Sequence, residues 1–204
     1  SGKTTSALDI VKNAQKIAQD EYLEKMDSIS SKLDELEQKN NKTDQKEIKQ
    51  LKEKLEELDE KGFQKVVYVD AEHTLDEDWA RLNGVNLDEL ILIQPMEQTC
   101  EQILDMIMNI IKTGDVILVV LDSIPMLVPQ QIYEESLEKK MYGGIATPLT
   151  RFSSLVAPLL HKYNTTLIGI NQNRDSMDEY SPDSTPGGRG WKHLQGLRIE
   201  FRKG

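Results

Sequence analysis

Val116–Leu121 reads VILVVL, an unbroken apolar run that ends on Asp122. A strand apolar on both alternating faces must be buried on both. Parallel sheets covered by helices are the usual way to bury both faces. Three more segments read as strands. Lys65–Asp70 (KVVYVD) is β-branched and ends in an acid, Leu90–Gln94 is a short apolar run, and Thr165–Asn171 is again of buried character. Between them lie helical patterns. Glu97–Lys112 is amphipathic, and Ser153–Tyr163 is helical, with Pro158 expected to bend it. Leu197–Arg202 alternates and reads as a final strand. Strands alternating with helices predict an α/β domain with a mainly parallel sheet flanked by helices. Ligands of such sheets sit at the carboxyl ends of the strands, where Asp70, Asp122 and Gln172 fall.

Residues 20–62 have a different character, dense in Glu, Lys, Asp and Gln. Their sparse apolar residues keep a regular step. Met26, Ile29, Leu33 and Leu36 form one seam, and Ile48, Leu51, Leu55 and Leu58 repeat it. Asn40–Asp44 is a turn cluster, Asp44 with Glu47 has capping-box-like spacing, and Gly62 reads as a helix stop. The pattern predicts an antiparallel coiled-coil hairpin inserted into a core of residues 1–19 and 63–204. Its charges read as a solvated face, with a protein partner at the hairpin as the alternative.

Composition narrows the setting. No stretch of 18 apolar residues exists to span a membrane, and the N-terminus shows no apolar leader. Cys100 is the single cysteine, so neither an internal disulfide nor a Cys-rich zinc site can form. A reducing, cytoplasmic compartment is the default expectation. A net charge of −10 argues against a generally basic nucleic-acid surface but leaves room for a local basic groove.

The chemistry-bearing residues cluster at strand ends and helix starts. Ser1-Gly2-Lys3-Thr4-Thr5 reads as the back half of a phosphate-binding loop, G-x-x-x-x-G-K-[ST]. There Gly2 allows close backbone approach, Lys3 reaches the β- and γ-phosphates, and Thr4 places its hydroxyl on Mg²⁺. Asp122 ends an apolar strand as a metal-associated acid would, although a strand-end Asp also caps turns. Glu72, just past the strand Lys65–Asp70, is placed to activate a water for attack on a γ-phosphate. His73 reads as a hydrogen-bonded structural residue. Gln172 can sense the γ-phosphate and inform the polar segment after it, or simply satisfy loop backbone. That segment, Arg174–Gly190, ends in Pro186-Gly187-Gly188-Arg189-Gly190-Trp191-Lys192-His193, a plausible track for single-stranded nucleic acid. Asp175, Asp178, Glu179 and Asp183 oppose it. A second polar segment, Gln130–Gly144, ends in Lys139-Lys140-Met141-Tyr142-Gly143-Gly144.

Taken together these motifs resemble the ATPase core of the RecA recombinase family. SGKTT matches the end of its Walker A motif. VDAEH with Leu75-Asp76, Ala80-Arg81 and Gly84-Val85 matches its DAEHALD block, and VLDS matches its Walker B motif. INQ, followed after a gap by Gly187-Gly188 and a lysine four residues on, matches its second DNA-binding loop. The likeness covers most of residues 1–10 and 63–203. It implies a RecA-like P-loop core that uses ATP and Mg²⁺. Ser1, Gly2, Lys3, Thr4 and Thr5 would lie on the phosphates, Thr4 and Asp122 on the metal, and Asp76 and Trp79 on adenine. Glu72 would be the water-activating base and Gln172 the coupling residue, while Lys192 would face a neighbouring subunit's ATP. Lys139, Lys140, Gly143, Gly144, Arg151, Arg174, Gly187, Gly188 and Arg189 would contact DNA.

The departures from the family pattern are specific. The hairpin is extra, the first loop lacks an arginine near Thr147 and offers Arg151 instead, and the second loop is short and acidic. They imply a divergent member, of the kind a phage or plasmid encodes. They also imply a piece of a longer protein, because the strand before the phosphate loop is absent. The expected function is a DNA-dependent ATPase of homologous recombination, forming helical homo-oligomeric filaments on single-stranded DNA and exchanging strands. Two alternatives stay open: an annealing or regulatory ATPase that exchanges no strands, and an interaction module whose ATP site has decayed.

Overall fold

The computed structural model describes residues 2–39, 44–133, 144–172 and 185–202. Its centre is a four-stranded parallel sheet built from β1 (Lys65–Asp70), β2 (Leu90–Ile93), β3 (Val116–Asp122) and β4 (Thr166–Gly169), in the order β2-β1-β3-β4. In register, Tyr68 lies opposite Val120 and Asp70 opposite Asp122. The two acid-ended strands therefore finish side by side.

Alternation along each strand divides the core in two, as a sheet covered on both faces requires. Val67, Val69, Val119 and Leu121 point to one side and pack on α4 (Cys100–Lys112), α6 (Ala146–Tyr163) and α7 (Gly188–Leu194), the short α5 (Gln130–Tyr133) lying between α4 and α6 in sequence. Val66, Tyr68, Leu118 and Val120 point to the other, against Ala7, Leu8 and Val11 of α1 (Lys3–Lys39) and Ala80 of α3 (Glu77–Leu82). α4 begins on a complete capping box, with Thr99 Oγ1 accepting from Gln102 N and Gln102 Oε1 accepting from Thr99 N. The expected helical start at Glu97 thus moves to Cys100.

Three further expectations change. Leu197–Arg202 is not a strand. Among the described residues it pairs with no strand, although β4 ends the sheet with an open edge, and it leaves Leu197 78% and Ile199 62% exposed. The helix expected at Ser153 starts at Ala146 and runs through Pro158 without a break. Asp44 precedes α2 (Gln45–Lys61) but makes no side-chain cap, since its backbone is already helical at φ −90°, ψ −4°.

The hairpin's first arm is not a separate helix. α1 continues from the sheet rim to Lys39 with no Gly or Pro to interrupt it. α2 returns alongside, and Gly62 closes it at φ 66° with its N–H on Leu58 O. Lys32–Glu47 (2.7 Å) and Glu37–Lys52 (2.8 Å) bridge the arms near the far end. Tyr22 donates to Asp59 at the near end, and Lys61 pairs with Asp115 of the core at 2.8 Å. Exposed pairs of this kind contribute little each. The seam residues Met26, Ile29, Leu33, Leu36, Leu51, Leu55 and Leu58 are half-buried and Ile48 is buried, which gives the pair its apolar contact. No described helix is long and apolar enough to cross a membrane.

Candidate functional site

α1 opens at Lys3 on the carboxyl rim of the sheet. The first N–H groups of a helix have no intrahelical acceptor, so this end offers donors and a partial positive charge. Thr4, in the first turn, donates from Oγ1 to Asp122 Oδ2 at 3.2 Å. Asp122, at the tip of β3, is 5% exposed. The same Oδ2 accepts from Tyr68 Oη at 2.6 Å. Burial pushes the Asp122 carboxyl above the usual carboxylate range. Tyr68 and Thr4 oppose the rise as hydrogen-bond donors, while Glu72 and Asp70 add to it as like charges. Burial, with Asp122 alongside, likewise pushes the Tyr68 phenol up.

Glu72 follows the tip of β1, where Ala71 N donates to Asp122 O at 2.6 Å. Its Oε1 accepts from Ser123 Oγ and from Gln172 Nε2, the latter at 3.4 Å. Gln172 is positioned by Asn171, whose Oδ1 accepts its N–H at 2.9 Å. Asn171 Nδ2 donates in turn to Pro186 O at 2.8 Å. Lys3 and Gln172 line one cleft of about 1220 Å³, which runs along β4 beneath the segment Gln195–Phe201. Lys3, Thr4, Glu72, Asp122 and Gln172 therefore gather at a single rim.

Asp70 does not join them as an open carboxylate. It is buried and accepts from Thr74 N (3.2 Å), Leu75 N (3.0 Å) and Gln94 Nε2 (3.0 Å), so it braces the loop that carries Glu72. A ring nitrogen of His73 sits 2.7 Å from Pro95 O, a structural contact. Asp76 accepts from Trp79 N at 2.9 Å and caps α3, leaving the indole 47% exposed. Among the described hydrogen bonds none ties these two to the Thr4–Asp122 group. Gly2 and Thr5 flank Lys3 and Thr4 at the helix start, and Ser1 lies outside the described residues.

Among the described residues, those read as DNA contacts lie on or next to α6 and α7. Gly144 precedes α6, and Arg151 is exposed on it. Gly187, at φ 115°, and Gly188, at φ 69°, lead into α7 with the exposed Arg189. A Cβ on Gly188 would lie 3.1 Å from Ala146 Cβ, and one on Gly190 would lie 2.9 Å from Thr150 Cα, so the glycines of α7 let it lie close on α6. Lys192 is exposed on α7. Lys139, Lys140, Gly143 and Arg174 lie outside the described residues.

Sequence reasoning passed over Tyr68, Ser123 and Asn171. Tyr68 did carry a signal, a hydroxyl in an otherwise aliphatic buried strand. The donor set suits Mg²⁺. Among the described residues no three His, Cys, Asp or Glu side chains form a metal cage. Mg²⁺ needs none, because one or two protein oxygens beside phosphate and water suffice. Thr4 and Asp122 supply that hard-oxygen pair.

A parallel sheet with a helix N-terminus, a hydroxyl, two carboxylates and a carboxamide at one rim is an α/β arrangement of the kind that places polar groups at the carboxyl ends of its strands. The model of the RecA N-terminal domain matches residues 53–204, and the chain belongs to the RecA family. Protein RecA of Mesomycoplasma hyopneumoniae (strain 7448) is 35% identical over 138 residues, covering 67% of this chain and 40% of that protein. Protein RecA of Ureaplasma parvum serovar 3 (strain ATCC 27815) is 35% identical over 140 residues, covering 68% and 41%. That of Acholeplasma laidlawii is also 35% identical over 140 residues, covering 68% and 42%. The chain thus spans about two-fifths of the length of these relatives. A crystal structure of the RadB recombinase superposes with a TM-score of 0.38 at 25% identity, over 59% of this chain and 55% of that one.

Proposed function

We propose that the full-length protein is a DNA-dependent ATPase of homologous recombination, which assembles as a filament on single-stranded DNA and exchanges strands. One observation carries the reading: the chain of contacts Thr4–Asp122 and Ser123–Glu72–Gln172 at the sheet rim. In it the helix start and Lys3 bind the triphosphate, and Thr4 with Asp122 holds Mg²⁺. The metal, when bound, neutralises phosphate charge. Glu72 orients and deprotonates the attacking water, with Ser123 fixing its carboxylate. Phosphoryl transfer asks for this positioning and charge balance more than for covalent work. Gln172 links the water-activating carboxylate to the segment that ends in α7, so nucleotide state biases the DNA-contacting residues. Asp76 and Trp79 hold adenine, and Lys192 reaches a neighbouring subunit. Residues 1–19 and 63–204 form the core and 20–62 an appended hairpin.

The test is ATP turnover by full-length protein with and without single-stranded DNA, repeated with Glu72→Ala. DNA stimulation that is lost in the variant supports the reading. Unstimulated turnover that the variant retains sinks it. The acids Asp175, Asp178, Glu179 and Asp183 favour a second reading, an annealing or regulatory ATPase. A strand-exchange assay separates the two.

A further inference from the structure

Tyr68 is the one polar side chain in the interior of β1, and it is fully buried. Its ring packs in the cluster that holds Leu8, Val11, Val66, Leu118 and Val120, a setting that phenylalanine would fill as well. The hydroxyl therefore needs its own reason, because burying it unpaired is costly. Its partner is Asp122 Oδ2, 54 positions away in sequence and 2.6 Å away in space. Sheet register produces the contact. Tyr68 sits opposite Val120, so Asp122 rises two residues further along the same face of the neighbouring strand. A bond this short is in the distance range of hydroxyl-to-carboxyl hydrogen bonds. Thr4 Oγ1 uses the same oxygen at 3.2 Å. Both described donors thus converge on Oδ2, and Oδ1 is left without a protein donor among the described residues.

We propose that Tyr68 is a positioning residue for Asp122, holding Oδ2 so that Oδ1 and the Thr4 hydroxyl face the metal of a bound nucleotide in a fixed orientation. The assignment rests on the nucleotide-site reading above. Tyr68 touches neither phosphate nor metal and acts only through the carboxylate it holds.

The experiment is a fluorescence titration of full-length protein with a non-hydrolysable ATP analogue, in Mg²⁺ and in EDTA. It is run on the unmodified protein, Tyr68→Phe, Asp122→Asn and the double variant, with thermal melts of each. Tyr68→Phe is expected to weaken binding in Mg²⁺ by about tenfold and to leave binding in EDTA unchanged. In the Asp122→Asn background the same substitution is expected to change neither value, as coupling through one contact requires. Equal metal dependence in Tyr68→Phe and unmodified protein overturns the assignment. So does a loss that appears equally in EDTA, or one that persists beside Asp122→Asn, since either marks a packing effect. If the unmodified protein itself shows no metal-dependent binding, the nucleotide-site reading fails and the assignment falls with it. Should Tyr68→Phe not fold, the ring Cζ resonance of buried ¹³C-labelled tyrosine in the unmodified protein decides. A shift on adding analogue with Mg²⁺ and none in EDTA supports the assignment, and no shift in either overturns it.

Discussion

Gln172 reaches Glu72 across 100 residues of chain, its Nε2 donating to Oε1 at 3.4 Å. The bond is long, near the outer limit for such contacts. It joins a carboxylate suited to activating water to a carboxamide whose backbone is tied, through Asn171, to the start of α7. Gln172→Ala is therefore expected to separate the two ends of the proposed coupling. Nucleotide affinity should hold within about twofold, while stimulation of ATP turnover by single-stranded DNA falls at least about tenfold, the scale of an ordinary coupling energy. Steady-state turnover with and without DNA checks it, and undiminished stimulation would exclude Gln172 as the link.

Glu72→Gln keeps the acceptor for Ser123 and removes the charge. Turnover should drop by roughly 10²–10⁴, the usual contribution of a general base, with Mg²⁺-dependent nucleotide binding preserved. A stopped-flow measurement of phosphate release reads the first effect and an equilibrium titration the second. A fall in affinity matching the fall in rate would place Glu72 in binding instead.

Gly169, at the end of β4, lies under the Trp191 ring. A Cβ there would stand 2.4 Å from Trp191 Cζ2 and 2.8 Å from Ile124 Cδ1. The indole is large, stiff and 3% exposed, so it cannot step aside. Gly169→Ala is expected to cost about 1–3 kcal/mol by overpacking. Chemical denaturation of the variant provides the value, and an unchanged midpoint would show that α7 docks loosely.

Cys100 opens α4 fully buried, and burial, with Glu101 adjacent, pushes its thiol from 9.0 up to about 12. The folded state thus holds its thiol proton where the unfolded chain releases it. By linkage this contribution to stability is complete below pH 9 and declines as pH rises towards 12. Cys100→Ala should flatten that part of the stability profile. A thiol reagent at pH 8 should label the native protein only at the rate of unfolding. Rapid native-state labelling would contradict the buried, neutral thiol.

The strands were legible because a buried parallel strand leaves a plain signal. The expected Lys65–Asp70 is β1 residue for residue, and VILVVL with its acid is β3. The gathering of Lys3, Thr4, Glu72, Asp122 and Gln172 was legible for a related reason, since parallel topology sends every strand end to the same rim. α7 was not legible. Gly187-Gly188-Arg189-Gly190 reads as loop, and it is Trp191 seated over Gly169 and the glycine contact with α6 that hold the helix there. Leu197–Arg202 misled in the opposite way, having strand alternation but no pairing among the described residues. The contact between Tyr68 and Asp122 was hidden because it depends on the register of two strands far apart in sequence. The shift in composition near residue 20 does not coincide with a helix end, since α1 runs on to Lys39.

That unbroken helix has a mechanical consequence. At 1.5 Å per residue, α1 is a rod about 55 Å long, buried against the domain as far as Ala18 and projecting about 30 Å beyond it. Bending it by about 5° where it leaves the domain swings the remote end through roughly 3 Å, about half a helical turn. A shift too small to notice at the sheet rim would become a visible displacement at Lys39.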